Sequence, residues 1–284
     1  MISFLNSKYS IRICGLCIWV FVTLIYMFSA ETSVDFWESG HTIVAAYGLQ
    51  IPNAATPPLY ILIARLFSLF SFGNVAYSIT LVSVFAASLT VVCLYSTVIF
   101  IAHSVIQRIT SIEQLHKTIL VILSGSIASL SLAFSHTFWN IATQSSPHAF
   151  TLCIVVCILW AMFRWEQSQN NRWILLIAFA IGILATGNSL YLLILPACAV
   201  LYYCKKYTFT RIGIIIVIVV SFVITALIIG YIIPGISYML FLSELLFVNK
   251  FSLPQHFGVF IICFVVLALI IIGLYYSHIR AKYL

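Results

Sequence analysis

Charge is what this sequence lacks. Of 284 residues only 7% are Asp, Glu, Lys or Arg, and just six are acidic, whereas about a quarter of a soluble domain is charged. So few charges cannot coat a water-soluble globule of this length, and that class is excluded. Also missing is a basic face: the thirteen Lys and Arg residues stand singly or in pairs between apolar runs, which excludes a nucleic-acid partner despite the net charge of +7. No charged residue falls convincingly within an apolar run and no repeat of halves is visible, which speaks against a transporter or channel. A disulfide framework is absent too, because Cys14, Cys17, Cys93, Cys153, Cys157, Cys198, Cys204 and Cys263 all lie in or at the ends of apolar runs. Cys14 and Cys17 have a redox or metal spacing but no partner pair, and a packing role suits them better.

What the sequence has is hydrophobic length. With 63% hydrophobic residues, a mean hydropathy of +1.17 and several runs beyond about 18 residues, most of the chain has lipid as its solvent. The predicted spans are 11–30, 77–103, 118–134, 147–163, 173–187, 189–204, 212–233 and 257–276, eight in all. The first is too long for a cleaved signal, whose apolar core runs about 7 to 15 residues, and Phe28 occupies the third position before a cut after Ala30. The stretch 173–204 is too long for one span. Arg172 precedes it and Lys205 and Lys206 follow it, so both its ends belong on one side and a turn is required near Asn188. On this topology eleven of the thirteen basic residues are cytoplasmic and only Arg65 and Lys250 lie outside, which puts both termini in the cytoplasm. The acids divide the other way, with Glu31, Asp35, Glu38 and Glu244 outside and Glu113 and Glu166 inside.

The longest outside segment, 31–74, is not a passive linker. Apolar residues recur at helical spacing over 34–49 and, after the turn residues Pro52, Asn53, Pro57 and Pro58, again over 59–72. Two short helices lying at the interface account for both. On the first, Asp35, Glu38 and His41 follow at intervals of three and share a face. On the second, Arg65 stands amid apolar neighbours, placed to pair with one of those carboxylates or to meet a ligand phosphate. Solvated or paired interface residues are the plainer reading of Asp35, Glu38 and Arg65. A second polar cluster, His136, Trp139, Asn140, Gln144 and His148, falls in the outside turn 135–148, and Asn188 caps another turn. His41, His136, His148 and His256 all fall outside, but their spacings match no compact ligand motif, so no metal site is indicated. Trp37 and Trp139 suit the headgroup belt.

The segment DFWESGHTIVAAYGLQIP from Asp35, continued by PPLYILIARLFSLF over 57–70, resembles the first outside loop of glycosyltransferase family 117. These are bacterial multispanning proteins related to a eukaryotic transmembrane O-mannosyltransferase. FSHTFWNIAT from Phe134, LLILPACAVLYYCKKY ending at Tyr207 and ELLFVNKFSLP from Glu244 fit the same family in order and spacing. The resemblance implies an all-α, GT-C-like polytopic bundle in the bacterial inner membrane, forming a single domain over 1–284 with about eight spans and two interfacial helices in the loop 31–74. Such enzymes move a sugar from a polyprenyl-phosphate lipid to an exported acceptor, a protein Ser or Thr hydroxyl or a glycan. The chemistry needs a carboxylate to receive the hydroxyl proton and cationic or donor groups to hold the leaving phosphate. Carried onto this chain, Glu38 is the catalytic base with Asp35 as orienting carboxylate, and Arg65, His41, His136 and Asn188 bind substrate. Membrane lipids are expected partners, and no organic cofactor is expected; a divalent metal is compatible with the chemistry but not indicated.

The chain also departs from the family pattern. Where the first loop of the family reads Trp, Asp, small residue, Gly, Glu, this chain has Trp37, Glu38, Ser39, Gly40 and His41, so one carboxylate is altered and the other lost. Gln144 and Ser146 stand where acids are common, Asn53 to Thr56 replaces a His-Pro-Pro-Gly stretch, and Asn188 replaces a histidine. Family members run longer, so a fragment or shortened paralogue is expected. The thinned acids keep a second expectation open, a catalytically degenerate GT-C-like subunit or scaffold, which fold alone does not decide.

Overall fold

The computed structural model describes residues 8–33, 38–51, 56–70, 74–106 and 114–283. Among them every regular element is helical and there is no strand. In chain order these are α1 (Lys8–Ser29), α2 (Glu38–Gly48), α3 (Pro58–Leu69), α4 (Val75–Ile106), α5 (Gln114–Ala133), α6 (His136–Thr143), α7 (Pro147–Ser168) and α8 (Asn171–Ala185). A 3₁₀ turn (Ser189–Leu193) then leads into α9 (Ile194–Lys206), followed by α10 (Arg211–Leu227), α11 (Ile233–Leu245) and α12 (Phe257–Tyr283). The chain divides into two compact units, Met1–Ser221 and Phe222–Leu284.

Each of the eight predicted spans is helical. Six helical stretches among the described residues are long and apolar enough to cross a bilayer: 9–29, 75–106, 116–133, 147–168, 189–206 and 211–250. The protein is therefore a multi-pass membrane protein. Two of the eight fall below that length, since α8 has 15 residues and the apolar part of α12 covers 257–273. The seventh run differs most from expectation, because its helix does not stop at 233 but continues to Lys250. Pro234 lacks an amide donor, and the ladder takes a π turn over Ile228–Ile232 just before it, so the proline is accommodated instead of ending the helix. The two helices predicted in the loop after α1 are present as α2 and α3, of 11 and 12 residues, too short to span.

Local chemistry sets the breaks. Pro57 and Pro58 open α3, with Pro58 at the first helical position where no amide donor is needed. Ser146 caps α7, accepting from the His148 amide at 3.3 Å. Gln169, at a φ of 51°, closes α7 in the left-handed region, and Asn170 at once caps α8 by accepting from the Arg172 amide at 3.0 Å.

The first unit is organised around α4, which touches α1, α2, α3, α5, α6 and α7. Its centre is rich in small residues, and Ser83, Ala87, Ser88 and Thr90 are fully buried, which lets neighbouring backbones approach. Thr80, Thr90 and Thr97 return their hydroxyls to the carbonyl four residues earlier, so they carry no unmet donor into the apolar interior. α5 comes so close that a Cβ on Gly125 would stand 2.8 Å from Ile99. Tyr26 on α1 donates to the Ala133 carbonyl at 2.8 Å, and Tyr95 on α4 donates to the Ile11 carbonyl at 3.1 Å, fastening α1 at both ends. In the second unit, the Glu244 carboxylate accepts from the amides of His256 and Val259, placing a negative charge on the N-terminus of α12.

Candidate functional site

Alternation of the helices brings the ends of α1 and α5 beside the starts of α4 and α7. Backbone and side-chain bonds join them there. The Glu31 amide donates to the Thr143 carbonyl at 2.9 Å, and Asn74 Nδ2 donates to the Thr32 carbonyl at 2.7 Å. Gln144 Nε2 donates to Glu31 Oε1 at 3.1 Å. An acid at 144 would set two carboxylates face to face; the amide avoids that repulsion and supplies a donor.

Below this contact lies a buried hydroxyl network. Ser83 Oγ gives its one proton to the Ser146 carbonyl and accepts from the Ser146 amide, both at 3.0 Å. Tyr60 Oη, 3.1 Å from Ser83 Oγ, must therefore be the donor in that pair. Burial raises the Tyr60 hydroxyl from its ordinary value, with Ser145 and Ser83 opposing, so it stays a protonated donor. The Tyr60 ring packs on Phe150 at 5.9 Å. Pro57 lies against Gly187, where an added Cβ would come within 2.7 Å of the proline ring, and His148 Nδ1 meets Tyr191 Oη at 3.1 Å. One end of the first unit thus gathers the segments around Glu31, Pro57, Gln144 and Asn188, although they are far apart in sequence.

The sequence-derived site residues fare unequally. Asp35 lies outside the described residues, and Glu38 is described only as the first residue of α2. His41, on the next turn, is exposed, as is His136 at the start of α6. Arg65 is half-buried, and its guanidinium donates to the Tyr47 carbonyl at 2.7 Å and lies over the Tyr47 ring. This clamps α3 to the C-terminal end of α2, where a cation also meets the negative pole of the helix. Glu38 begins the same helix nine residues earlier, about 13 Å away at 1.5 Å per residue. Asn188 is half-buried and accepts from the Leu190 amide at 3.0 Å, which makes it the cap of the 3₁₀ turn. Replacing it with alanine is expected to lower stability by about 1 kcal/mol while serine retains the cap; equal unfolding midpoints for the two variants would refute the capping role.

Sequence reasoning passed over Glu31, Tyr60 and Tyr191. Glu31 carried the one legible signal, an acid just beyond an apolar run. The tyrosines gave none, since their partners are 23 to 85 residues away. Among the described residues no group of three His, Cys, Asp or Glu side chains is placed to hold a metal ion.

Residues 38–211, more than half of the chain, match the family model described as the protein O-mannosyl-transferase TMEM260 N-terminal domain. The match takes in α2, α3, Gln144 and Asn188, and stops short of the stretch from Glu244. No curated protein and no solved structure matches the chain.

Proposed function

We propose, from the premise that the chain belongs to the family of the protein O-mannosyl-transferase TMEM260 N-terminal domain, that it is a glycosyltransferase working at the membrane surface. Within that family's wider relations it stands with glycosyltransferase family 117 and the GT-C architecture. The donor is a sugar on a polyprenyl phosphate and the acceptor is an exported protein hydroxyl or a glycan. The observation that carries this reading is the match over 38–211, which begins on Glu38 itself. Glu38, opening α2, is the base that takes the acceptor's proton, and Asp35 orients it. His41 and His136, both exposed on the elements of that end, and the remaining donors of Arg65 are the groups available to the leaving phosphate. Asn188 holds the neighbouring turn in place.

The test is transfer of labelled sugar from polyprenyl-phosphate donors in membranes containing the chain. Transfer above that of membranes lacking it is expected with at least one sugar, and its absence with all of them sinks the enzyme. A second reading, a non-catalytic subunit of the same fold, is favoured by one observation: Arg65 is committed to Tyr47. Absence of transfer would select it.

The reading also orients the chain. Arg12, Arg164, Arg172, Lys205 and Lys206 belong to the end opposite Glu31, and the positive-inside rule makes that end cytoplasmic in a bacterial inner membrane. With native cysteines replaced, an impermeant maleimide should label His136→Cys but not Gln169→Cys in intact cells. The opposite pattern reverses the orientation.

A further inference from the structure

At the end of the first unit away from Glu31, α1, α4 and α7 splay apart around a cavity of about 610 Å³. Its mouth is basic. Arg12 on the second turn of α1 and Arg164 on the last turns of α7 line it, with His103 from the last turn of α4. Among the described residues no acid lines the cavity and neither arginine has a carboxylate partner. Glu166, two residues from Arg164, is turned to Lys205 at 3.5 Å instead. The guanidinium of Arg164 is held by the Trp160 ring, 5.3 Å from its centroid, which fixes the charge in place while leaving its N–H donors available.

Behind that mouth the walls are apolar. Trp19, Leu89 and Phe100 line the deeper part, and Leu89 lies fourteen residues before His103 on α4. At 1.5 Å per residue this is about 21 Å, enough to pass through one leaflet's share, about 15 Å, of the hydrocarbon core. The cavity is open sideways. Leu16 and Leu89 both line it and are 61% and 46% exposed, so its flank faces the acyl chains of the bilayer. A charged head, a stem as long as a lipid tail and a lateral entrance describe one kind of ligand.

We infer that this cavity is a binding site for an anionic glycerophospholipid, its phosphate held by Arg12 and Arg164 and one acyl chain laid along α4 between α1 and α7. A volume of about 610 Å³ suits a headgroup and a single chain rather than a whole lipid. Arg12 and Arg164 are both exposed at the edge of the membrane, and an anionic headgroup is the partner for them that the bilayer itself supplies. The site lies at the far end of the unit from the proposed transfer site and does not depend on it.

Tryptophan quenching by brominated lipid reads occupancy directly, because Trp19 and Trp160 line the cavity. The intact chain is placed in phosphatidylcholine nanodiscs containing a few per cent of brominated phosphatidylglycerol, or of brominated phosphatidylcholine as the neutral arm. Quenching by the anionic lipid should exceed that by the neutral one at equal mole fraction, each arginine contributing about fivefold in preference. Arg12→Gln with Arg164→Gln should reduce it to the neutral level. Arg172→Gln, an exposed cation outside the cavity, should leave it unchanged. Inorganic phosphate in the buffer should not compete, since it lacks the chain. Equal quenching by the two lipids, an effect of Arg172→Gln as large as that of the double variant, or displacement by free phosphate would each overturn the proposal. The unfolding midpoint of the double variant, measured alongside, should match that of the parent; a lowered midpoint with unchanged quenching also overturns it.

Discussion

Replacing Glu38 with glutamine is expected to lower sugar transfer by about two to four orders of magnitude, the usual worth of a positioned general base. The substitution keeps the size and most of the hydrogen-bonding capacity of the side chain but removes its ability to accept the acceptor hydroxyl's proton. Glu38 is also the first residue of α2, where a carboxylate favours the helix N-terminus by a few tenths of a kcal/mol. That loss is too small to unfold the chain, so the thermal midpoint should stay close to the parent's while activity collapses. Undiminished transfer by the variant would remove Glu38 from the chemistry. A matching fall in transfer and in midpoint would assign it to structure. Arg65→Ala provides the contrast: it deletes the clamp on the Tyr47 carbonyl, so a lowered midpoint should accompany its loss of transfer.

The largest effect on stability is expected at Tyr60. Its side chain is fully buried, packs on Phe150 and reaches two serines, one on α4 and one just before α7. Truncation to alanine leaves an aromatic-sized cavity and should cost about 3 to 5 kcal/mol. Phenylalanine should cost only about 1 kcal/mol, because Ser83 keeps both of its bonds to the backbone of Ser146 when the tyrosine hydroxyl is gone. Denaturant unfolding of the purified chain in detergent measures both. If the phenylalanine variant is as unstable as the alanine one, the hydroxyl network carries more of the end of the bundle than the ring does.

Much of this architecture is legible in the chain because membrane helices are written one-dimensionally. Apolar length alone specifies the spans, and short polar signals place the breaks: Ser146 before Pro147, Gln169 with Asn170, and Asn188 between two helices that hydropathy alone runs together. The cue failed where it met Pro234, which the chain accommodates with a π turn instead of a stop. The loop after α1 was readable as two short helices for the same local reasons, the turn residues around Pro57 and the helical spacing on either side.

The arrangement of the candidate site was legible only in part. Residue type identified Arg65 as an unusual cation, and both of its sequence-derived roles invoked a charged partner. The partners found are uncharged, the carbonyl and ring of Tyr47 and the hydroxyl of Ser68, and a backbone acceptor leaves no mark in the sequence. Gln144 read as a lost acid, yet the fold sets it against Glu31, where an amide is the complementary group. The basic cavity at the other end was invisible for the same reason: Arg12, His103 and Arg164 read separately as topology markers and become a group only when α1, α4 and α7 converge. Hydrophobicity and helix punctuation act over a few residues, so the sequence by itself determined that this is a membrane protein, all helical, with its breaks where capping residues stand. Which polar side chains meet depends on contacts between residues 18 to 113 apart in the chain, and only the tertiary structure decided those.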